Sequence, residues 1–148
     1  MFFVINNDQG CIHMKYRQPF KRWTAMYEIK IDKNKNRLYL TFGNIEDEAE
    51  MQEIVSEIRK ESKKLKKGFT CLTDLRRYDP VEGIYEKYIR EVQEHLLAAG
   101  MSKVARVRRP MGSIAHFQFD NVSYEVGYHA PNVTTLEEGE AILDQETS

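Results

Sequence analysis

Two pairs of adjacent arginines, Arg76–Arg77 and Arg108–Arg109, are the residues whose type and spacing point most clearly to chemistry. A guanidinium is a planar fork of donors that matches a carboxylate or a phosphate, so paired arginines suit an anion. Each pair follows a short, mostly apolar run. After the first come Tyr78, Asp79, Pro80, Val81 and Glu82, with Asp79 placed as a helix cap, Pro80 in the first turn and Glu82 at the reciprocal capping position. The start of a helix adds N–H groups that also favour negative charge. Arg76, Arg77, Tyr78, Asp79, Glu82, Arg108 and Arg109 therefore form the candidate site for an acidic partner surface or a small anion, with Lys103 and Arg106 nearby. The plainer reading is that these are separate solvated arginines paired with local acids such as Asp79, and that Asp79 only caps.

Other reactive residue types carry less. His13, His95, His116 and His129 have no Cys, Asp or Glu at metal-ligand spacing, so no metal is expected. Cys71 sits in the middle of an apolar run, where a thiol is normally inert. No serine lies in a nucleophile-elbow sequence, and Gly112-Ser113 lacks the glycines and lysine of a phosphate loop. The expectation is a protein that is not an enzyme and holds no cofactor. Cys11 and Cys71 are too few and too far apart for a disulfide scaffold, and read as two reduced thiols in a cytoplasmic protein.

The elements that must position the arginines follow from periodicity. Tyr27–Asp32 and Arg37–Phe42 alternate polar and apolar residues around the turn Lys33-Asn34-Lys35-Asn36, which predicts an antiparallel hairpin. A helix follows, with Asn44 as cap, acids at Glu46, Asp47 and Glu48, and Ile45, Ala49, Val55, Ile58 and Leu65 on its inner face. Lys63, Lys64, Lys66 and Lys67 crowd its far end before Gly68, as the helix dipole favours. Phe69–Leu75 reads as a buried central strand. The helix opened by Asp79 presents Val81, Ile84, Tyr88, Val92, Leu96 and Ala99 and stops at Gly100. Lys103–Val107 is the next strand, Ser113–Val126 a third helix burying Phe119, Val122 and Val126, and Asn132–Thr134 a last edge strand. Thr135, with Glu138 three residues on, caps a closing helix whose Leu136, Ala141, Ile142 and Leu143 face inward.

Alternating strands and helices predict an α/β fold, with a mixed, mostly parallel sheet of four or five strands and about four helices. Residues 1–25 stand apart as an N-terminal extension, either an irregular hairpin or an arm, and residues 26–148 as a single domain. With 148 residues, 41% hydrophobic and 30% charged, the chain has the composition of one globular domain. Lys and Arg total 22 against 23 Asp and Glu, so binding nucleic acid by bulk charge is not expected. No apolar run approaches the roughly 18 residues of a membrane span, and the first residues do not read as a signal peptide. Residues 110–148 contain no Lys or Arg, so a basic middle and an acidic end are able to pair head-to-tail in an oligomer.

Over roughly residues 26–144 the chain resembles the STAS domain, the fold of bacterial anti-sigma factor antagonists. The likeness rests on the hairpin and helix from Tyr27 to about Lys64, and on Thr73-Asp74-Leu75 ending a strand. It continues in Leu96-Leu97-Ala98-Ala99-Gly100-Met101-Ser102-Lys103-Val104, which links helix to strand, and in the ending Val133-Thr134-Thr135-Leu136-Glu137-Glu138-Gly139-Glu140-Ala141. The resemblance implies a non-catalytic, cytoplasmic regulatory module that docks on a protein such as an anti-sigma factor kinase, from which a sigma factor is then released. It also implies a Ser or Thr phosphoacceptor after the Asp-Leu strand end. Here Leu75–Gly83 contains neither, so the phosphorylation switch is not expected. Asp79 or Glu82 would supply one permanent charge where a phosphate carries nearly two. The alternative is a carrier of lipid or another apolar anion, with Phe20 and Trp23 covering an apolar cavity.

Overall fold

A computed structural model describes the backbone of residues 2–7, 10–17, 24–45, 47–78, 86–110, 114–127 and 129–145, and the side chains of 27–45, 47–78, 86–110, 120–127 and 129–145. Asp79, Glu82, Phe20 and Trp23 lie outside the described residues, as do the side chains of His13, His116 and Phe119.

Strands β3 (Thr24–Asp32) and β4 (Arg37–Phe42) form the expected hairpin, with Ile29 opposite Leu40 and Ile31 opposite Leu38. The turn between them is fixed by Asp32, whose Oδ1 accepts from the amides of Asn34 (2.9 Å) and Lys35 (3.0 Å). It closes through Asn36 in the left-handed region, a conformation Asn tolerates better than most residues. β5 (Thr70–Asp74), β6 (Lys103–Val107) and β7 (Asn132–Val133) then add in parallel. These five strands, with helices α1 (Glu48–Ser62), α2 (Glu86–Ala98), α3 (Ile114–Val126) and α4 (Leu136–Asp144), are the α/β architecture that the alternation predicts. Residues 2–17 take the hairpin alternative: β1 (Phe2–Asn7) pairs with β2 (Gly10–Arg17), and β2 pairs with β3. One seven-stranded sheet results, in the order of the chain itself.

Side-chain alternation splits the core into two layers. Leu38, Leu40 and Phe42, then Cys71 and Leu75, then Val104 face a large cluster completed by α1 and α2, with Val122 of α3. Leu72, Ala105, Val107 and Val133 point to the other face, where Leu143 of α4 joins them. Both faces of β5 and β6 are thus covered, which is why these two strands read as apolar runs rather than as alternations.

Local starts and stops differ from expectation in instructive ways. Asp47 caps α1 in place of Asn44, accepting from the Glu50 amide at 2.9 Å. Residues 43–45 are spent in bringing Ile45 into the core, so the helix starts only after that residue is seated. Ala49 is exposed, and the inner stripe runs instead through Met51, Ile54, Val55 and Ile58. On α4 Thr135 caps as expected, the Glu138 amide donating to its hydroxyl at 3.1 Å, while that hydroxyl donates to the Glu138 carboxylate at 3.2 Å. Leu136 and Ala141, however, face outward. The helix lies on the sheet along a narrow stripe in which Gly139 abuts Leu72 and Leu143 fills the space beyond. Arg37, with 4% of its side chain exposed, clamps α4 to β4 through Glu140 and, at 2.8 Å, Asp144.

Candidate functional site

The register of β5 on β6 decides where the arginine pairs go. Asp74 lies opposite Val107 in a parallel pair, and the Leu75 amide donates to the Val107 carbonyl at 2.8 Å. Arg76–Arg77 and Arg108–Arg109 therefore leave adjacent strands at the same, carboxyl, end of the sheet. That is the end at which open α/β sheets commonly bind ligands.

The seven candidate residues then separate by environment. Arg76 is engaged locally by Asp74: its backbone N–H and Nε both donate to Oδ1 at 3.0 Å, and its Nη2 to Oδ2 at 2.7 Å. This bidentate pair, foremost, holds the Arg76 guanidinium charged above its ordinary range. Among the described residues the acid that pairs with Arg76 is thus Asp74, two residues back; Asp79, the local acid the sequence offered as an example, lies outside them. Arg77 and Arg109 are exposed and carry no ion pair among the described residues. Arg108 is half-buried; its N–H donates to the Val133 carbonyl at 2.9 Å, while its Nε meets no hydrogen-bond partner among the described residues. Tyr78 does not belong to the surface. It is 1% exposed and packs on Phe42, ring centroids 6.2 Å apart, so it anchors the loop rather than offering a contact. Asp79 and Glu82 fall outside the described residues.

The two cations expected near the rim are elsewhere. Lys103 starts β6 at the opposite end of the sheet, and its Nζ donates to the Gln145 carbonyl. Arg106 points into the core on the face covered by α2 and α3, with 1% of its surface exposed. Its Nη1 donates to Asp120 at 3.2 Å and its Nη2 to the Ser123 hydroxyl, which in turn donates to Gln93 at 3.0 Å. Asn132 completes the group, donating to both Asp120 oxygens at 3.2 and 3.3 Å. This buried network escapes sequence reasoning because its members sit on four different elements with no shared spacing. The one available hint is an arginine in the middle of an otherwise apolar strand.

Arg106 and Gln93, with Thr73 and Cys71, also supply the polar part of a cavity whose walls include Phe42, Tyr78 and Ile89. Its volume is about 30 Å³, room for one or two waters. Burial pushes the Cys71 thiol up to about 11, which leaves it protonated and unreactive at neutral pH. His95 is half-buried between α1 and α2, with Nε2 3.1 Å from the Ser62 hydroxyl. Burial first, then the Arg59 and Lys63 charges, hold its pKa below the ordinary 6.5. Among the described residues no three His, Cys, Asp or Glu side chains cluster where a metal ion could be held. No helix among them is long and apolar enough to cross a membrane.

Neither the protein-family models nor the curated proteins nor the solved structures contain a match to this chain.

Proposed function

We propose that the chain is a non-catalytic regulatory module that docks an acidic protein surface on the rim at the carboxyl ends of β5 and β6, in the manner of an anti-sigma factor antagonist. The observation that carries this reading is the parallel register of β5 on β6, which sets both arginine pairs on one edge and leaves Arg77 and Arg109 exposed. Arg76 positions the loop through Asp74, and Tyr78 pins it to the core, so the arginine between them is presented from a braced backbone. A braced donor loses less conformational freedom on binding than one on a loose loop. The stretch after β5 has no Ser or Thr before α2, so docking in this reading is constitutive and not reversed by phosphorylation. It is set in the cytoplasm, with both cysteines reduced.

The carrier reading needs an apolar cavity of a few hundred Å³ or more. The core cavity holds about 30 Å³, and the open grooves of about 670 and 530 Å³ are lined largely by polar and charged side chains such as Asp120, Asn121, Arg59 and Lys60. Phe20 and Trp23 lie outside the described residues. Docking is therefore preferred.

The test uses the variant Arg77→Ala/Arg109→Ala, which leaves the Asp74–Arg76 pair in place. Tagged wild type and variant are compared by affinity capture from the source cell. A partner retained by wild type at low salt, weakened as salt rises and lost from the variant, is the expected result. Capture of the same proteins in equal amounts by both would refute the reading.

A further inference from the structure

The opposite end of the sheet, where β5 and β6 begin, gathers cations from three parts of the chain. The β3–β4 turn brings Lys33 and Lys35, the segment after α1 brings Lys63, Lys64, Lys66 and Lys67, and β6 brings Lys103. These turns are fastened to one another. Asn36 Nδ2 donates to the Lys66 carbonyl at 3.0 Å and Asn36 Oδ1 accepts from the Lys66 amide at 2.8 Å, while the Thr70 amide donates to the Asn36 carbonyl at 3.1 Å. The Gly68 amide donates to the Gly100 carbonyl at 2.8 Å, and the Ser102 hydroxyl to the Gly68 carbonyl at 2.7 Å. Gly100, at φ +101°, admits the Lys67 stem where any Cβ would meet it at 2.5 Å.

The acids nearby are already committed. Glu61 is buried and holds Lys64, Glu140 holds Lys35 and Arg37, Asp144 holds Arg37, and Asp32 accepts from its own turn. Lys33, Lys63, Lys66 and Lys67 are exposed and have no ion pair among the described residues. Capping the helix dipole accounts for a cation or two in the last turn of α1, since the effect fades within a turn. It does not account for Lys66 and Lys67, which lie beyond Ser62, or for Lys33 on another element.

We propose that this end of the sheet is a docking face for an anionic phospholipid surface. The choice of partner follows from the residue type. Protein interfaces are enriched in arginine and aromatic side chains and depleted in lysine. Single-stranded nucleic acids call for aromatic rings on which bases stack, and base reading in duplexes relies heavily on the arginine fork. Here the exposed, unpaired cations are all lysine, and Phe69, the aromatic closest to them in the chain, is fully buried. An anionic bilayer asks only for several point charges close to its surface, and each contributes without a specific geometry. The face lies at the other end of the sheet from the arginine rim, so a protein held on lipid through its lysines still presents Arg77 and Arg109. The inference stands independently of what binds there.

The experiment is co-sedimentation of the full chain with vesicles of phosphatidylcholine alone or with about 30% phosphatidylserine, at about 50 mM and about 300 mM salt. Wild type is expected to sediment with the anionic vesicles only, and to be released at the higher salt. The variant Lys33→Gln/Lys63→Gln/Lys66→Gln keeps the Lys67 stem against Gly100 and is expected to melt with wild type while binding about a hundredfold more weakly. The variant Arg77→Ala/Arg109→Ala is expected to sediment as wild type does. Three results would overturn the proposal: equal binding to neutral vesicles, an equal loss in the two variants, or tighter binding of wild type to a short DNA duplex than to anionic vesicles at the same salt.

Discussion

Arg106 has the most demanding environment of any side chain described. A guanidinium with 1% of its surface exposed needs acceptors inside the protein, and α3 brings it a carboxylate and a hydroxyl, with the amide oxygen of Gln93 behind them. The two partners of the ion pair are not equivalent, because 37% of the Asp120 side chain still reaches water. Removing the arginine leaves a carboxylate that water can solvate; removing the carboxylate takes an acceptor away from a guanidinium that water does not reach. Asp120→Ala is therefore expected to cost about 1–3 kcal/mol and Arg106→Met less than that, read as urea midpoints at unchanged slope. The reverse order would mean that the guanidinium is not dependent on Asp120. The same contrast shows what individual residues reveal in sequence. Arg76 and Arg77 look alike there, yet the first is held by Asp74 and the second is not, because side-chain reach back to the strand end decides which of two neighbours is engaged. Arg106 looks like a rim cation until the sheet is known to be covered on both faces.

At the level of elements, α1 and α2 share the large apolar cluster, and polar pairs line the margin of their contact. Arg59 pairs with Glu91, Glu48 accepts from Tyr88 and pairs with Lys87, and His95 sits on Ser62. The histidine faces Ser62, Arg59 and Lys63 from α1 and its end, and Glu91 on its own helix; only the last favours a positive ring. Its folded pKa lies below the unfolded one, so the folded state binds fewer protons. The stability this confers is complete above pH 6.5, declines as pH falls through that value, and levels off below the folded pKa. His95→Gln is expected to flatten that part of the pH dependence, measured as urea midpoints between about pH 7.5 and about pH 5. A wild-type profile that rises toward acid would rule this out. Element types and order were legible in the sequence because strand and helix periods differ and because Thr135 and Gly100 are the residue types that begin and end helices. The inner faces were less so. Nine residues of α4 touch the sheet through a stripe too narrow for Leu136 or Ala141 to share.

For the molecule as a whole, the expectation that placed the two arginine pairs on one rim was a statement about strand adjacency, and adjacency is what alternation of strands and helices predicts well. The hairpin at residues 2–17 was not decidable, since short apolar runs around a polar turn suit a loose arm equally. The centre of the sheet supplies its own reporter. Cys71 is fully buried within β5, 3.5 Å from the Thr73 hydroxyl. In a Cys11→Ser background its alkylation at neutral pH is expected to be slow in the native protein and to accelerate with urea in step with loss of structure. Reaction as fast as that of a surface thiol in native buffer would place β5 at an edge and undo the two-layer core. The unbroken strand order has one more consequence, for synthesis. No strand has to wait for a later one to be inserted between itself and its neighbour, so a chain emerging from the ribosome can extend one growing edge from β1 toward β7. Each new strand is then capped by the next as it arrives, and the sheet passes through no stage in which a gap must be kept open for a residue not yet made.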